Sequence, residues 1–345
     1  MVNGDKEMEF LKELTKKVLD GDKISKEEGL KILNIPDKYL MELVEEASKI
    51  REYYFKDEVE FCSLINAKNG GCSEDCSFCA QSSKYPTPIN SYGLVSKEDI
   101  LEGAEKAISI NANRYCIVVS GKRASKEEVE KIAYAVREIK ENYPLKVCCS
   151  LGTVDKEDLK LLKDAGVNRI NHNLETSERF FSKIVTTHTW RDRYETIKNI
   201  QEVGLSTCTG GIFGMGETDE DIVDLADTYR ELGVHSIPLN FLIPIPGTPL
   251  EDAAYLTPQK CLKIVALFRF FNPKAEIRLC GGREQNLKDY HDIAMEIANA
   301  LMAGGYLTRA GREPGKDEEM IEKLGRKLVK NGGTFSLWEE LGVKV

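Results

Sequence analysis

The sequence predicts an α/β fold, a TIM-like (β/α)8 barrel preceded by an N-terminal helical extension. Three observations carry that expectation. From residue 59 onward, short β-rich runs alternate with helical segments, giving eight β-then-α units in about 270 residues. Several helical segments open on a cap signal, and three stop at a glycine that leads into the next strand. The strands also carry polar residues at alternate positions, on the face that a barrel turns inward. An open doubly wound sheet is the runner-up, but no GxGxxG fingerprint follows the first strand.

Residues 1–55 read as a cap of two or three helices. Glu9-Phe10-Leu11 to Val18-Leu19 repeats apolar residues at helical spacing. Ser25-Lys26-Glu27-Glu28 opens a second helix as a capping box, and Pro36 starts a segment that runs to Ile50. Residues 56–345 then form the barrel, with a C-terminal loop and helix closing its mouth. Strands are expected at 59–66, 114–119, 145–150, 167–172, 205–212, 235–242 and 275–280, with a weaker one near 300–304. Helices are expected at 97–109, 125–142, 155–165, 190–203, 218–232, 257–270 and 285–298, and a last one at 316–330. Ser96, Ser125, Asp155 and Thr218 supply caps, each with an acid three residues on, and Gly166, Gly204 and Gly233 supply the stops.

Composition narrows the function. The chain has 345 residues, 41% of them apolar, which is enough for a large core. A formal charge of −9, from 48 basic and 57 acidic residues, argues against a nucleic-acid surface. No apolar run is long enough to cross a bilayer, and MVNGDKEMEFLKEL lacks a signal-peptide core, so a cytoplasmic protein without membrane contact is expected. Ten cysteines in a reducing compartment read as metal or redox chemistry rather than as staples.

The densest group is Cys72, Cys76 and Cys79, a CxxxCxxC spacing directly after the first strand. Three thiolates can hold three corners of a cubane iron–sulfur cluster, which normally takes four cysteines. The fourth iron then lacks a protein ligand, and an open position marks a catalytic metal site. A zinc knuckle would need a fourth Cys or His nearby, but the nearest downstream histidine is His172 and no second CxxC exists.

The inward strand positions are just as unusual, since branched aliphatics normally fill them. Here they carry Arg114 with Cys116, Cys148, Asn171 to Glu175, Cys208, Asn240, and Arg278 with Cys280. Each buried polar group left unpaired costs about 1–3 kcal/mol, so a ligand inside the barrel is expected. A lone strand cysteine is usually a small packed hydrophobe. Four at matching depth point instead to a second metal cluster.

The sum of these motifs resembles the biotin synthase family of the radical S-adenosylmethionine (SAM) superfamily. The resemblance covers residues 58–312 and rests on GCSEDCSFCAQSS (71–83), CCSLGT (148–153), NHNLETS (171–177), Thr186-Thr187, GGIFGMGE (210–217), NFLIPIPGTP (240–249) and IRLCGGREQ (277–285). It implies insertion of sulfur between C6 and C9 of dethiobiotin to give biotin. Two SAM molecules would be consumed, yielding methionine and 5′-deoxyadenosine. A 4Fe–4S cluster on Cys72, Cys76 and Cys79 would reduce SAM, and an auxiliary cluster would give the sulfur. The resemblance places Asn173, Glu175, Arg193, Gly210, Gly211 and Phe78 along SAM. It places Asn171, Asn173, Asn240, Thr308 and Arg309 against dethiobiotin. It also implies a homodimer and an electron donor such as flavodoxin or ferredoxin. A related barrel enzyme of the hydrogenase-maturation type, or a non-catalytic iron–sulfur or zinc protein, is the alternative.

Three positions depart from the family pattern. Glu175 stands where Asp is usual, and Arg309 stands where the family has Thr. Cys280 stands where the pattern RLSGGR or RLSAGR has Ser. The family's auxiliary 2Fe–2S cluster uses three cysteines and an arginine, which match Cys116, Cys148, Cys208 and Arg278. A thiolate is a far better iron ligand than a guanidinium. Cys280 is therefore expected to replace Arg278, which admits a four-iron auxiliary cluster with Arg278 beside it. The four histidines show no usable partner spacing. Cys149 and Cys261 read as packing, and Cys62 is left open.

Overall fold

The computed structural model describes residues 3–305, 307 and 311–345. Thr308 and Arg309, expected against the substrate, lie outside the described residues. Helices α1 (Asn3–Leu19), α2 (Lys26–Leu33) and α3 (Leu40–Phe55) come first. The strands are β1 (Glu58–Lys68), β2 (Arg114–Val119), β3 (Lys146–Ser150), β4 (Arg169–Asn171), β5 (Ser206–Cys208), β6 (Gly211–Phe213), β7 (Ser236–Phe241), β8 (Glu276–Leu279), β9 (Ala300–Met302) and β10 (Lys327–Leu328). All strand pairings are parallel. The order β1-β2-β3-β4-β5-β7-β8-β9 closes through β9 onto β1, with Glu60 opposite Ala300 and Cys62 opposite Met302. This is the expected TIM-like (β/α)8 barrel.

The outer helices form where the caps predict. They are α4 (Lys97–Ser109), α5 (Lys126–Asn142), α6 (Lys156–Ala165), the short α7 (Glu178–Phe181), α8 (Trp190–Val203), α9 (Asp219–Leu232), α10 (Pro258–Phe271), α11 (Arg283–Leu287), α12 (His291–Ile297), α13 (Pro314–Lys323) and α14 (Ser336–Glu340). Ser25, Ser96, Ser125, Thr189 and Thr218 close reciprocal capping boxes, which satisfy amides that helix ends leave orphaned. Gly166, Gly204 and Gly233 end α6, α8 and α9 in the left-handed conformation. Helices α1–α3 bury Leu11, Leu43 and Ile50 in the same core as the barrel helices.

Three elements differ from expectation. The strand expected over 205–212 is split into β5 and β6. A Cβ on Gly210 would lie 1.9 Å from the Pro238 carbonyl, so β7 presses against the chain at the break. The helix expected over 285–298 breaks at Lys288. The break turns Leu287 into the core and returns His291 to the guanidinium of Arg283. The last helix was expected over 316–330, closing the mouth. It stops at Lys323 and runs as the helix that follows β9. Arg326 then bonds the carbonyls of Ala298 (3.0 Å) and Glu58 (3.2 Å) and steers the chain to the opposite end of the barrel. There β10 pairs with Glu58 and Val59, and Trp338 packs with Phe55 and Phe335. Leu307, by contrast, lines the cavity at the mouth.

Candidate active site in the barrel lumen

A cavity of about 350 Å³ runs down the lumen, and thiols line it at two depths. The deeper group follows from strand register. Cys116 lies opposite Cys148, Cys62 opposite Arg114 and Met302, and Asn171 opposite Cys208. Cys62, Cys116, Cys148, Cys280 and Met302 pack as one buried cluster. Cys208 lines the same cavity and accepts a hydrogen bond from Asn171 Nδ2 at 3.4 Å. Cys149, one residue out of phase, points into the main core with Cys261.

Beneath the thiols lies a charged layer that the sequence shows only in part. Arg114 and Arg278 were visible as inward positions; Glu60, Arg169 and Glu276 were not. All five are at most 2% exposed. Arg169 forks onto Glu276 at 2.7 and 3.1 Å. Arg278 Nη2 reaches Glu60 at 2.6 Å and Glu276 at 2.8 Å, and Arg114 Nε reaches Glu60 at 3.2 Å. Three guanidinium groups against two carboxylates leave a formal charge of +1 below the sulfurs. Burial works to raise both carboxyls, yet the arginines hold them below the usual range. Arg114 keeps Nη1 and Nη2 without partners. Period-two alternation, Glu60-Cys62-Leu64 and Glu276-Arg278-Cys280, was the available signal.

The shallower group sits on the loop after β1. Cys72, Cys76 and Cys79 all line the cavity, with Phe78 beside them. The loop closes on itself through Cys79 N–H to Cys76 O (2.9 Å) and Cys72 N–H to Gln81 O (3.0 Å). It is also stitched to the β4–α8 connection. Asp75 accepts from the amides of Thr186 (2.9 Å) and Thr187 (3.2 Å) and from both hydroxyls, and Ser77 bonds Ile184 O through its amide and hydroxyl. Burial opposes the ionised Asp75, but these bonds hold its carboxyl down at about 2. Without metal, burial pushes the Cys76 thiol up to about 12 and Cys79 to about 11.

Between the two depths lie polar groups with unused capacity. Glu175 is buried at a left-handed φ of 69°, and its Oε2 has no partner. Burial raises its carboxyl against the pull of Arg193, 3.5 Å away. His172 is buried with Nε2 unpartnered. Arg193 lines the cavity and bonds Asn173 O (2.9 Å) and His188 Nε2 (3.0 Å), while His188 Nδ1 is 2.6 Å from Glu74. His172 and His188 are thus wall residues, although no partner spacing in the sequence marks either. Glu74 and Arg193 lie 114 and five positions from His188, and no local pattern links the three.

Two expectations are revised in detail. Gly210 and Gly211 were expected to admit a ligand, but their missing side chains admit protein. Added Cβ atoms would meet the carbonyls of Pro238 and Glu175, and Ile212 is the neighbour that reaches the cavity. Asn240 faces the cavity while its amide already spans Gly211 O (3.2 Å) and Gly281 N–H (3.0 Å), so it also fastens the glycine segments.

Thiols in two groups along one lumen are the donor type that iron–sulfur clusters take. Glu175 and His172 line the cavity, and each keeps a buried side-chain atom without a partner.

Comparison with known proteins gives a consistent result. A profile of the Radical SAM superfamily matches residues 68–229, and one of the Biotin and Thiamin Synthesis associated domain matches residues 238–327. Biotin synthase from Sulfurihydrogenibium sp. (strain YO3AOP1) is 74% identical, covering 96% of this chain and 100% of that one. Biotin synthase from Aquifex aeolicus (strain VF5) is 61% identical, covering 94% of this chain and 98% of that one. In fold, methylornithine synthase aligns with a TM-score of 0.80 at 19% identity, covering 96% of this chain and 99% of that one.

Proposed function

From the premise that this chain belongs to the biotin synthase family, we propose that it converts dethiobiotin to biotin by SAM-dependent sulfur insertion at C6 and C9. The family works with SAM, a 4Fe–4S cluster and an auxiliary iron–sulfur cluster. When bound, these groups supply the reductive cleavage of SAM, the hydrogen abstractions and the sulfur. The observation that carries the reading is the pair of thiol groups at two depths of one cavity.

Cys72, Cys76 and Cys79 would hold the 4Fe–4S cluster at the mouth, with one iron left without a protein ligand. Arg193 offers a guanidinium edge for the SAM carboxylate, Glu175 and Asn173 offer acceptors for its ribose, and Phe78 offers an apolar wall. Asn171 and Asn240, with donors and acceptors on one amide, would orient the ureido ring. Thr308 and Arg309 would meet the valerate end. Cys116, Cys148, Cys208 and Cys280 would hold the auxiliary cluster. Arg278 is clamped by two carboxylates, which keeps it protonated and without a lone pair for iron. The clamp favours Cys280 as fourth ligand, with Arg278 as a counter-charge; a four-cysteine set can hold either a 2Fe–2S or a four-iron cluster. Residues 1–55 would act as a cap and 56–345 as the catalytic unit.

None of the described helices is long and apolar enough to cross a membrane. The reading includes a cytoplasmic homodimer reduced by flavodoxin or ferredoxin; family pattern supports these. The test is anaerobic reconstitution followed by dithionite, SAM and dethiobiotin. Biotin, with two 5′-deoxyadenosines per biotin, is expected. Iron for one cluster only, or SAM cleavage without biotin, would contradict the reading.

A further inference from the structure

We infer that His188 is a positioning residue, which sets the guanidinium of Arg193 against the amino-acid end of SAM and ties it to the cysteine loop. The inference rests on the proposed pairing of Arg193 with SAM.

His188 immediately precedes the N-cap of α8, and its side chain is buried. Its ring is fixed on three sides. Phe181 meets it edge-on with centroids 5.6 Å apart, Nδ1 lies 2.6 Å from Glu74 Oε2, and Nε2 lies 3.0 Å from Arg193 Nε. Arginine Nε carries a proton and can only donate. His188 Nε2 therefore accepts, and the ring proton sits on Nδ1, facing a carboxylate that can only accept. The tautomer follows from the neighbours.

This arrangement constrains Arg193 at two points. Nε is taken by His188, and Nη1 is taken by Asn173 O at 2.9 Å. The remaining donors on the outer edge are directed by those two bonds. Glu74 lies between Cys72 and Cys76, and its other oxygen accepts from the Ser73 hydroxyl at 3.1 Å. An unbroken run of contacts thus joins the cysteine loop through Glu74, His188 and Arg193 to the turn after β4. Each of those segments lines the cavity. A planar guanidinium recognises a carboxylate only when its fork is correctly turned, so fixing its rotation is a specific contribution.

Two isosteres separate the ring's contacts. His188→Gln places a side-chain oxygen near the Nε2 position and can still accept from Arg193. His188→Asn places its amide near Nδ1 and can only reach Glu74. The dissociation constant of SAM for reconstituted protein should rise about tenfold in His188→Ala and His188→Asn, and recover to within about threefold in His188→Gln. Iron and sulfide content should stay at wild-type values in all three. Histidine 15N NMR of the metal-free protein should show a proton on Nδ1 of His188. The inference is overturned if His188→Ala binds SAM as tightly as wild type, if Asn rescues as well as Gln, or if the proton is on Nε2. Arg193→Ala is the control: if it leaves SAM affinity unchanged, the pairing of Arg193 with SAM is wrong. If it weakens affinity while His188→Ala does not, the pairing stands and the role of His188 falls.

Discussion

The two ends of the lumen hold thiols in opposite ways. At the mouth, Cys72, Cys76 and Cys79 ride on a loop whose position depends on side-chain bonds from Asp75 and Ser77 to residues 184–187. At the floor, Cys116, Cys148 and Cys208 project from strands, and a buried layer of three arginines and two glutamates lies below them. The difference suits the tasks proposed for the two ends. A site that exchanges a nucleotide each turnover needs an open corner and a loop that tolerates small shifts. A site that holds a sulfur donor away from solvent needs ligands fixed by the ladder, and compensation for anionic sulfur in a low dielectric.

The comparison can be broken from either end. The largest effect is expected for Cys76→Ala. Biotin formation should fall by about three orders of magnitude or more, while iron bound by the floor thiols remains; parallel assay and iron analysis check both. Next is Glu276→Ala, which leaves Arg169 and Arg278 buried with one carboxylate fewer. Breaking such a pair costs about 3–5 kcal/mol, so the metal-free protein should melt several degrees lower, with the mouth loop unaffected in hydrogen exchange. Cys280→Ser should lower iron and sulfide counts at the floor and alter the Mössbauer spectrum, leaving the mouth cluster intact. Unchanged counts and spectrum would return the fourth position to Arg278.

Alkaline pH gives a milder contrast. Burial raises Cys76 to about 12 and Cys79 to about 11, above an unfolded thiol at about 8.5. Such groups add stability below the unfolded value, and the addition is lost as pH climbs toward the folded ones. The metal-free protein should therefore lose melting temperature between about pH 9 and 11. The iron-loaded protein, its thiolates already ligated, should change less. The smallest effect is expected for Asp75→Asn, about 1–2 kcal/mol from weakened bonds to Thr186 and Thr187, read as faster exchange in residues 184–187.

Much of this was legible in the chain. Strand and helix positions follow from caps, glycine stops and period-two alternation, and β2 and α4 match expectation to the residue. The cysteine set was visible because its chemistry is rare. Glu60 and Glu276 escaped notice because a lone acid in a strand reads as solvent-facing until the opposing arginines are known. His188 was illegible for a different reason: its partners come from separate segments that only the closed barrel brings together. The break at Lys288 carries neither proline nor glycine, and tertiary demand from Leu287 and His291 imposes it.

The C-terminal tail has a consequence for assembly. Trp338 stacks on Arg169 at 5.5 Å, and β10 adds to β1 at its first residues, so this segment corks the base of the barrel. The cysteine triplet lines the cavity at the opposite end. On the proposed assignment, iron and sulfide for the deep thiols would have to pass that triplet or precede whatever fills it, and repair after turnover would meet the same queue.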